Sequence, residues 1–256
     1  MLRFRFILAV LAAGAAWGQA PGYFSGSIVN SSDYSSGPFA PNSALSIFGT
    51  NLSWSTQVLT SGDISGNTLP TQLASVEVYV DNWPSPLLYV SATQINFLVP
   101  GNEISGSITV RVVREGVTGP EVTLTLAEAA PALFDLGTGY VIAAHADGSL
   151  ITALSPAQAG EIIVVYATGL GQTEPNPNPG EIPETAAEMV AAASLVVYLD
   201  GAALQPWEIK YAGVTPYSVG LYQLNIQLPF DVGPNPQIQV AVGTQWSKAG
   251  LQIYVD

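Results

Sequence analysis

The sequence has no cysteine and a single histidine, and only 10% of its 256 residues are charged. An ordinary soluble domain carries about 25%. The missing cysteine excludes a disulfide framework, a Cys-ligated zinc site, an iron–sulfur cluster and a cysteine nucleophile. Basic residues are scarce: 6 Lys and Arg stand against 19 Asp and Glu, a net charge of −13. Neutralising phosphates takes clustered Lys and Arg, so a nucleic-acid groove is not expected. What the chain does have is apolar material, 48% of residues, together with 25 Gly and 19 Pro. That combination excludes a disordered acidic tail, which pairs low hydrophobicity with dense charge.

The first twenty residues read as an address. Arg3 and Arg5 precede an apolar run from Phe6 to Ala16, and small residues follow at Gly18 and Ala20. A basic start, a short apolar core and a small-residue end define a secretory signal peptide, placed at residues 1–20. Cleavage after Gly18 puts Ala16 and Gly18 at the −3 and −1 positions. Cleavage after Ala20 leaves Pro21 as the new N-terminus, which disfavours it. The alternative, an uncleaved anchor, needs roughly 20 apolar residues to span a bilayer. The mature protein is therefore expected to be secreted, periplasmic or on the cell surface, without membrane insertion. Loss of Arg3 and Arg5 takes its net charge to −15.

The rest of the chain repeats itself. Val76–Asn82 (VEVYVDN) matches Leu195–Gly201 (LVVYLDG), and Gln94–Pro100 (QINFLVP) matches Gln223–Pro229 (QLNIQLP). Phe48-Gly49-Thr50-Asn51-Leu52 resembles Tyr166-Ala167-Thr168-Gly169-Leu170, Pro86–Tyr89 falls opposite Pro206–Ile209, and Ile108 and Val110 fall opposite Ile238 and Val240. Five matches in one order, with an insertion of about ten residues near Gly213 to Gly220, indicate a duplicated module.

Each copy reads as strands. The first has 44–48, 76–80, 87–90, 94–99, 107–113 and 122–126; the second has 161–166, 195–199, 208–211, 221–228, 237–242 and 251–255. Period-two alternation between turn residues marks half-buried strands. Asp81-Asn82 and Asp200-Gly201 have hairpin-turn chemistry. Short strands at this density predict β-sandwiches. Thr185–Ala193 carries the one helical signal, with Thr185 and Glu188 at capping-box spacing. The Pro-rich 172–183 segment predicts an extended loop. A short junction near Ala129-Ala130-Pro131 divides the chain into units 21–130 and 131–256, packed closely end to end.

These motifs resemble the Solibacter-type uncharacterised C-terminal domain family of secreted acidobacterial proteins. The resemblance is carried by Ser46–Leu52, Leu69-Pro70, Pro86–Ser91, Gln94–Phe97, Ala130–Phe134, Ala146–Gly148, Tyr166–Gly171 and Gly220–Asn225. Each half in turn is similar to IPT/TIG modules. The resemblance implies an all-β fold of two tandem immunoglobulin-like (IPT/TIG-like) β-sandwiches and an extracytoplasmic location. It implies no catalytic residue.

Candidate chemistry is thin. His145 would have to serve any Ser–His–Asp triad, but no Gly-x-Ser-x-Gly elbow marks a nucleophile; Asp147-Gly148 makes His145 a strand-end residue instead. Glu174, Glu181, Glu184 and Glu188 lack the close spacing of a calcium loop and read as a solvated acidic loop. No metal, cofactor or nucleotide site is expected. Trp54, Trp83, Trp207 and Trp246, with Tyr211, Tyr217 and Tyr222, are expected mainly in the cores or between the units. Trp83 and Trp246 lie at turns and are the candidates for ligand contact. The expected function is a non-enzymatic module for contact with an extracytoplasmic protein, adhesion or surface assembly. The alternatives are a carbohydrate-binding module using the aromatics and, more remotely, a hydrolase.

Overall fold

A computed structural model describes residues 19–135 and 137–256. Most of the expected signal peptide, residues 1–18, lies outside the described residues. The fold is all-β, as expected: antiparallel sheets face one another in pairs, with 3-10 turns between strands. Among the described residues, no helix is long and apolar enough to cross a membrane.

The two sandwiches share one wiring. In the first, Ala44–Phe48 pairs with Gln94–Leu98, which pairs with Leu87–Val90; Val76–Val80 pairs with Gly106–Arg114 in the facing sheet. In the second, Ile162–Thr168 pairs with Tyr222–Gln227, which pairs with Ile209–Val214, and Leu195–Leu199 pairs with Gln237–Val242. Alternation does the sorting. Val76, Val78 and Val80 point inward, as do Leu195, Val197 and Leu199. One apolar core runs from Tyr23 to Leu126 and a second from Ala129 to Val255.

The register explains the repeated motifs. Asp81 and Asp200 sit at φ 50° and 47°, in the left-handed region their hairpin turns require. Each then brackets the neighbouring strand. The Asp81 N–H donates to the Thr109 carbonyl while its carboxylate accepts the Thr109 N–H, both at 2.7 Å. Asp200 does the same with Gln237 at 2.8 Å. In the Gln-x-Asn motif, Gln94 Nε2 donates to Asn96 Oδ1 at 2.8 Å, and Gln223 Nε2 to Asn225 Oδ1 at 2.9 Å.

Two expectations are corrected. Pro86–Tyr89 does not correspond to Pro206–Ile209. Tyr89 pairs with Asn96 and Tyr211 with Asn225, beside a β-bulge in each copy, so Tyr89 corresponds to Tyr211. Pro206–Glu208 instead forms a 3-10 turn ahead of the strand. The helix expected over Thr185–Ala193 is absent: Ala187–Met189 is a strand, and Ala192–Ser194 a 3-10 turn. Ala187 and Met189 face inward, Glu188 faces out, and the segment pairs with Val214 and Gly213. Pairing on both sides, with Thr173–Glu174 and with Gly213–Val214, and burial outweigh a weak helix propensity there.

The Pro-rich loop and the segment before Gly220 join the sandwiches. Leu69 N donates to Gly180 O at 2.9 Å, Asn67 Nδ2 to Ile182 O at 2.8 Å and Ile182 N to Asn67 O at 2.9 Å. Gln172 Nε2 and Asn176 Nδ2 both donate to Gly101 O at 3.0 Å. Thr168 Oγ1 accepts from Ala44 N at 3.3 Å and donates to Gly220 O at 2.8 Å. A third apolar cluster, built on Ala44, Leu69 and Leu98, takes in Ile182 and Val219. The Pro-rich loop and the insertion before Gly220 thus serve one purpose, which is to dock the two units.

Candidate functional site

The aromatic residues do not follow the core expectation. Trp83 exposes 59% of its surface and Trp246 53%, and Trp54 and Trp207 are exposed as well. Tyr217 is exposed, Tyr211 is half-buried, and only Tyr222 lies in a core. The reason is placement. Trp83 and Trp246 stand on two-residue edge strands that close hairpins, and Trp207 sits in the 3-10 turn, all at sheet margins where no facing layer covers them.

Trp54 is committed to structure. Its ring lies 3.8 Å from the Arg114 guanidinium carbon, and its indole N–H donates to Glu115 Oε2 at 3.1 Å. Trp83 stands on its hairpin with no aromatic neighbour among the described residues. Trp246 has one: its ring centroid is 5.0 Å from that of Tyr198, at 30°. The register sets what surrounds this pair. Tyr198 lies opposite Gln239, Ala241 opposite Trp246, and Gln237 opposite Gln252. Those positions share one sheet face, so the face presents two rings among the Gln237, Gln239 and Gln252 amides, with the Asp200 carboxylate at its end on the Gln237 N–H. The matching face of the first sandwich differs. There Tyr79 is covered by the Arg111 guanidinium, 4.9 Å from its centroid. Sequence reasoning singles out Trp246 and not its ring neighbour Tyr198. The signal was available, because Tyr198 occupies an outward position of an alternating strand.

His145 ends the strand Ala143–His145, ahead of the turn at Asp147-Gly148. Nδ1 lies 2.6 Å from Glu161 Oε1, and Nε2 lies 3.2 Å from the Ser155 carbonyl and 3.3 Å from its Oγ. On distance alone this resembles a Ser–His–Glu relay. The chemistry runs the other way: each ring nitrogen faces an acceptor, an arrangement that suits imidazolium with two donors. The Glu161 hydrogen bond and charge hold the His145 pKa above its usual 6.5.

This pairing predicts a pH dependence. Because the folded pKa is raised, the clamp's contribution is fully present below about pH 6.5 and is lost as pH rises through the folded value. Melting temperature is expected to fall over that window on the alkaline side, and His145→Gln should flatten the profile. An unchanged profile in that variant would remove the clamp's role.

The acidic loop is spent on itself. Glu181 Oε2 accepts from Asn178 N at 3.2 Å and Asn178 Nδ2 at 2.7 Å, which closes the loop's own turn. Among the described residues no group of three or more His, Asp or Glu could hold a metal ion. A cleft of about 290 Å³ between the sandwiches is lined by Glu103, Glu128, Gln172 and the exposed Ile104 and Val190. Burial, with a smaller effect from the charge on Asp81, raises the Glu103 pKa.

Fold and surface thus define a tandem immunoglobulin-like protein with exposed aromatic margins. Residues 27–126 match the IPT/TIG domain family. No curated protein matches the chain. Among solved structures, the surface glycan-binding protein PbSGBP-B from Prevotella bryantii is 13% identical over 92% of this chain and 42% of that one, with a TM-score of 0.29. SGBP-B of the Bacteroides ovatus mixed-linkage glucan utilization locus is 9% identical over 84% and 41%, TM-score 0.33. SGBP-B from a Bacteroides uniformis xyloglucan locus is 11% identical over 93% and 50%, TM-score 0.26. The chain therefore spans half or less of these proteins' lengths.

Proposed function

We propose that the chain is a non-enzymatic extracytoplasmic binding module. Its two units, 21–130 and 131–256, make protein contacts for adhesion or surface assembly, and the second unit supplies the contact through the Tyr198–Trp246 face. The observation that carries this reading is an aromatic pair standing on a glutamine-lined sheet face of a strongly acidic chain. Interfaces concentrate binding energy in Trp and Tyr at their centres, with charge depleted there. The His145 arrangement is compatible with the non-catalytic part, since its ring nitrogens face the Glu161 carboxylate and the Ser155 carbonyl. The extracytoplasmic part rests on the character of residues 1–20 and on the resemblance to the Solibacter-type family.

The same face favours a second reading, recognition of a neutral polysaccharide. Planar rings stack on sugar rings, and Gln237, Gln239 and Gln252 supply amides for hydroxyls. Both readings meet in one experiment. The chain and its Trp246→Ala variant are used to capture partners from the envelope and culture fluid and to probe a glycan array. A ligand held by the native chain and weakened at least about tenfold by the substitution is expected, the order of an interface tryptophan. A protein ligand supports the first reading and a glycan the second. Binding that ignores Trp246 sinks the assignment to this face.

A further inference from the structure

A second pair of rings stands on the second sandwich. The Tyr140 and Tyr254 rings stack with centroids 3.7 Å apart and planes 3° from parallel. Alternation places them. Leu251, Ile253 and Val255 are buried, so Gln252 and Tyr254 point out from the opposite side of that strand. Gln252 lies opposite Gln237 on one flank and is bridged to Tyr140 on the other. Residues opposite one another across a ladder share a face, so both tyrosines stand on the face that carries Tyr198 and Trp246. The two pairs mark its two ends. Trp246 is level with Ala241, whereas Tyr254, two residues past Gln252, is level with Asn235. At the usual rise along a strand those levels are about 20 Å apart. The glutamines between them are held in place. Gln239 Nε2 donates to Ser247 O at 3.2 Å and Gln252 Nε2 to Asn235 O at 2.9 Å, so their Oε1 atoms are the groups left to accept. Gln237 is exposed.

We infer that Tyr140–Tyr254 is a second aromatic subsite, and that this face holds one neutral polysaccharide chain lying across both pairs. This rests on the polysaccharide reading of the Tyr198–Trp246 pair given above. The spacing of the rings favours it over a protein partner. A protein hot spot gathers its aromatics at the centre of the patch and puts polar groups around them. Here the rings stand at both ends and the polar acceptors lie between, which suits a long ligand that repeats the same chemistry along its length. The apolar faces of its sugars meet the rings, and their hydroxyls donate to the glutamine oxygens. Because two of the amides are already pinned by backbone carbonyls, little side-chain freedom is lost on binding. Charge selects against acidic chains. The Asp200 carboxylate borders the face, the only ion pair beside it, Lys248–Asp135 at 3.6 Å, neutralises itself, and the whole chain carries −13.

The full chain and its Trp246→Ala, Tyr140→Ala and Tyr140→Phe variants are titrated with a β-glucan, a xylan, a mannan and polygalacturonate. Oligosaccharide ladders cut from whichever polymer binds, from disaccharide to octasaccharide, follow by calorimetry. Affinity for a neutral chain is expected to climb with length until the ligand reaches both pairs and then to level off. Tyr140→Ala should weaken the longest ligand roughly tenfold, the order of an interface aromatic, and leave the shortest ligand that binds unchanged. Tyr140→Phe keeps the stacked ring and should retain most of the affinity, which separates the subsite from any general loss of fold. Trp246→Ala should weaken every length. If Trp246→Ala weakens binding and neither Tyr140 variant does so at any length, the second subsite is wrong and the first pair's reading stands. Polygalacturonate bound as tightly as the neutral chains overturns the selection by charge. A native chain that binds none of the polymers, or that captures a protein through Trp246 instead, overturns the subsite and the polysaccharide reading together.

Discussion

Valine at position 169 is expected to split the unfolding of the molecule into two transitions. Gly169 has φ 74°, and a Cβ there would lie far inside van der Waals contact of the Ala130 carbonyl oxygen. Its own carbonyl accepts the Ala130 N–H at 2.7 Å, which continues the Ala132–Thr168 pairing where the chain enters the second sandwich, and its Cβ position also meets Ser43 Oγ of the first. A β-branched residue at positive φ costs roughly 1–3 kcal/mol in backbone strain alone. The clash with main chain adds to this, because main chain cannot rotate away as a side-chain tip can. A total above ~2 kcal/mol follows. The lost geometry lies at the joint, so it should show first as lost coupling. Calorimetry of the native chain is expected to give one cooperative transition and Gly169→Val two. Asn51 is the internal control. It occupies the same place in the first copy at φ 55°, within a turn that joins nothing to the second sandwich. Asn51→Gly should leave the single transition intact.

The Gly169–Asn51 equivalence shows how much of the fold could be read in advance. The Thr-Asn-Leu and Thr-Gly-Leu matches, the Asp at each hairpin and the Gln-x-Asn pairs were visible because each is local, set by one turn or one strand's alternation. Strand positions followed from the same alternation. The alignment of Pro86–Tyr89 with Pro206–Ile209 failed because proline is a conspicuous letter, whereas the true marker is a bulge whose register depends on the neighbouring strand. The helix expected at 185–193 failed for a related reason, since the pairing of Ala187–Glu188 with Gly213 and Val214 is long-range. The tryptophans are expected in the cores or between the units from their size, with Trp83 and Trp246 singled out as the ones for exposure. Their exposure follows from edge placement, and the strand pattern around Trp83 and Trp246 already hinted at it. The docking of the Pro-rich loop on Asn67, Leu69 and Gly101 leaves no trace in the sequence, because it depends on contacts between segments about 70 to 115 residues apart.

Phe97→Ala is expected to lower the whole molecule's transition, and not the first sandwich's alone. Phe97 is fully buried in the first core, opposite Leu45 on one side and Leu87 on the other. Truncating a phenylalanine in such a position costs about 3–5 kcal/mol in lost burial and residual cavity. Next along its strand is Leu98, whose side chain belongs to the apolar cluster at the joint and lies where a Cβ on Gly220 would fall. The hydrogen bonds across the joint, at about 1 kcal/mol each, are formed only while both partners are folded. Destabilising one sandwich therefore withdraws support from the other. In the native background Phe97→Ala and its counterpart Ile226→Ala should each give one transition, shifted down. Combined with Gly169→Val, each should depress only the transition of its own sandwich. A second-sandwich transition that keeps its native temperature in the Phe97→Ala single variant would show that the joint positions the two units without coupling their stabilities. The cleft beside Ile104 and Val190 would then sit between bodies that are free to part.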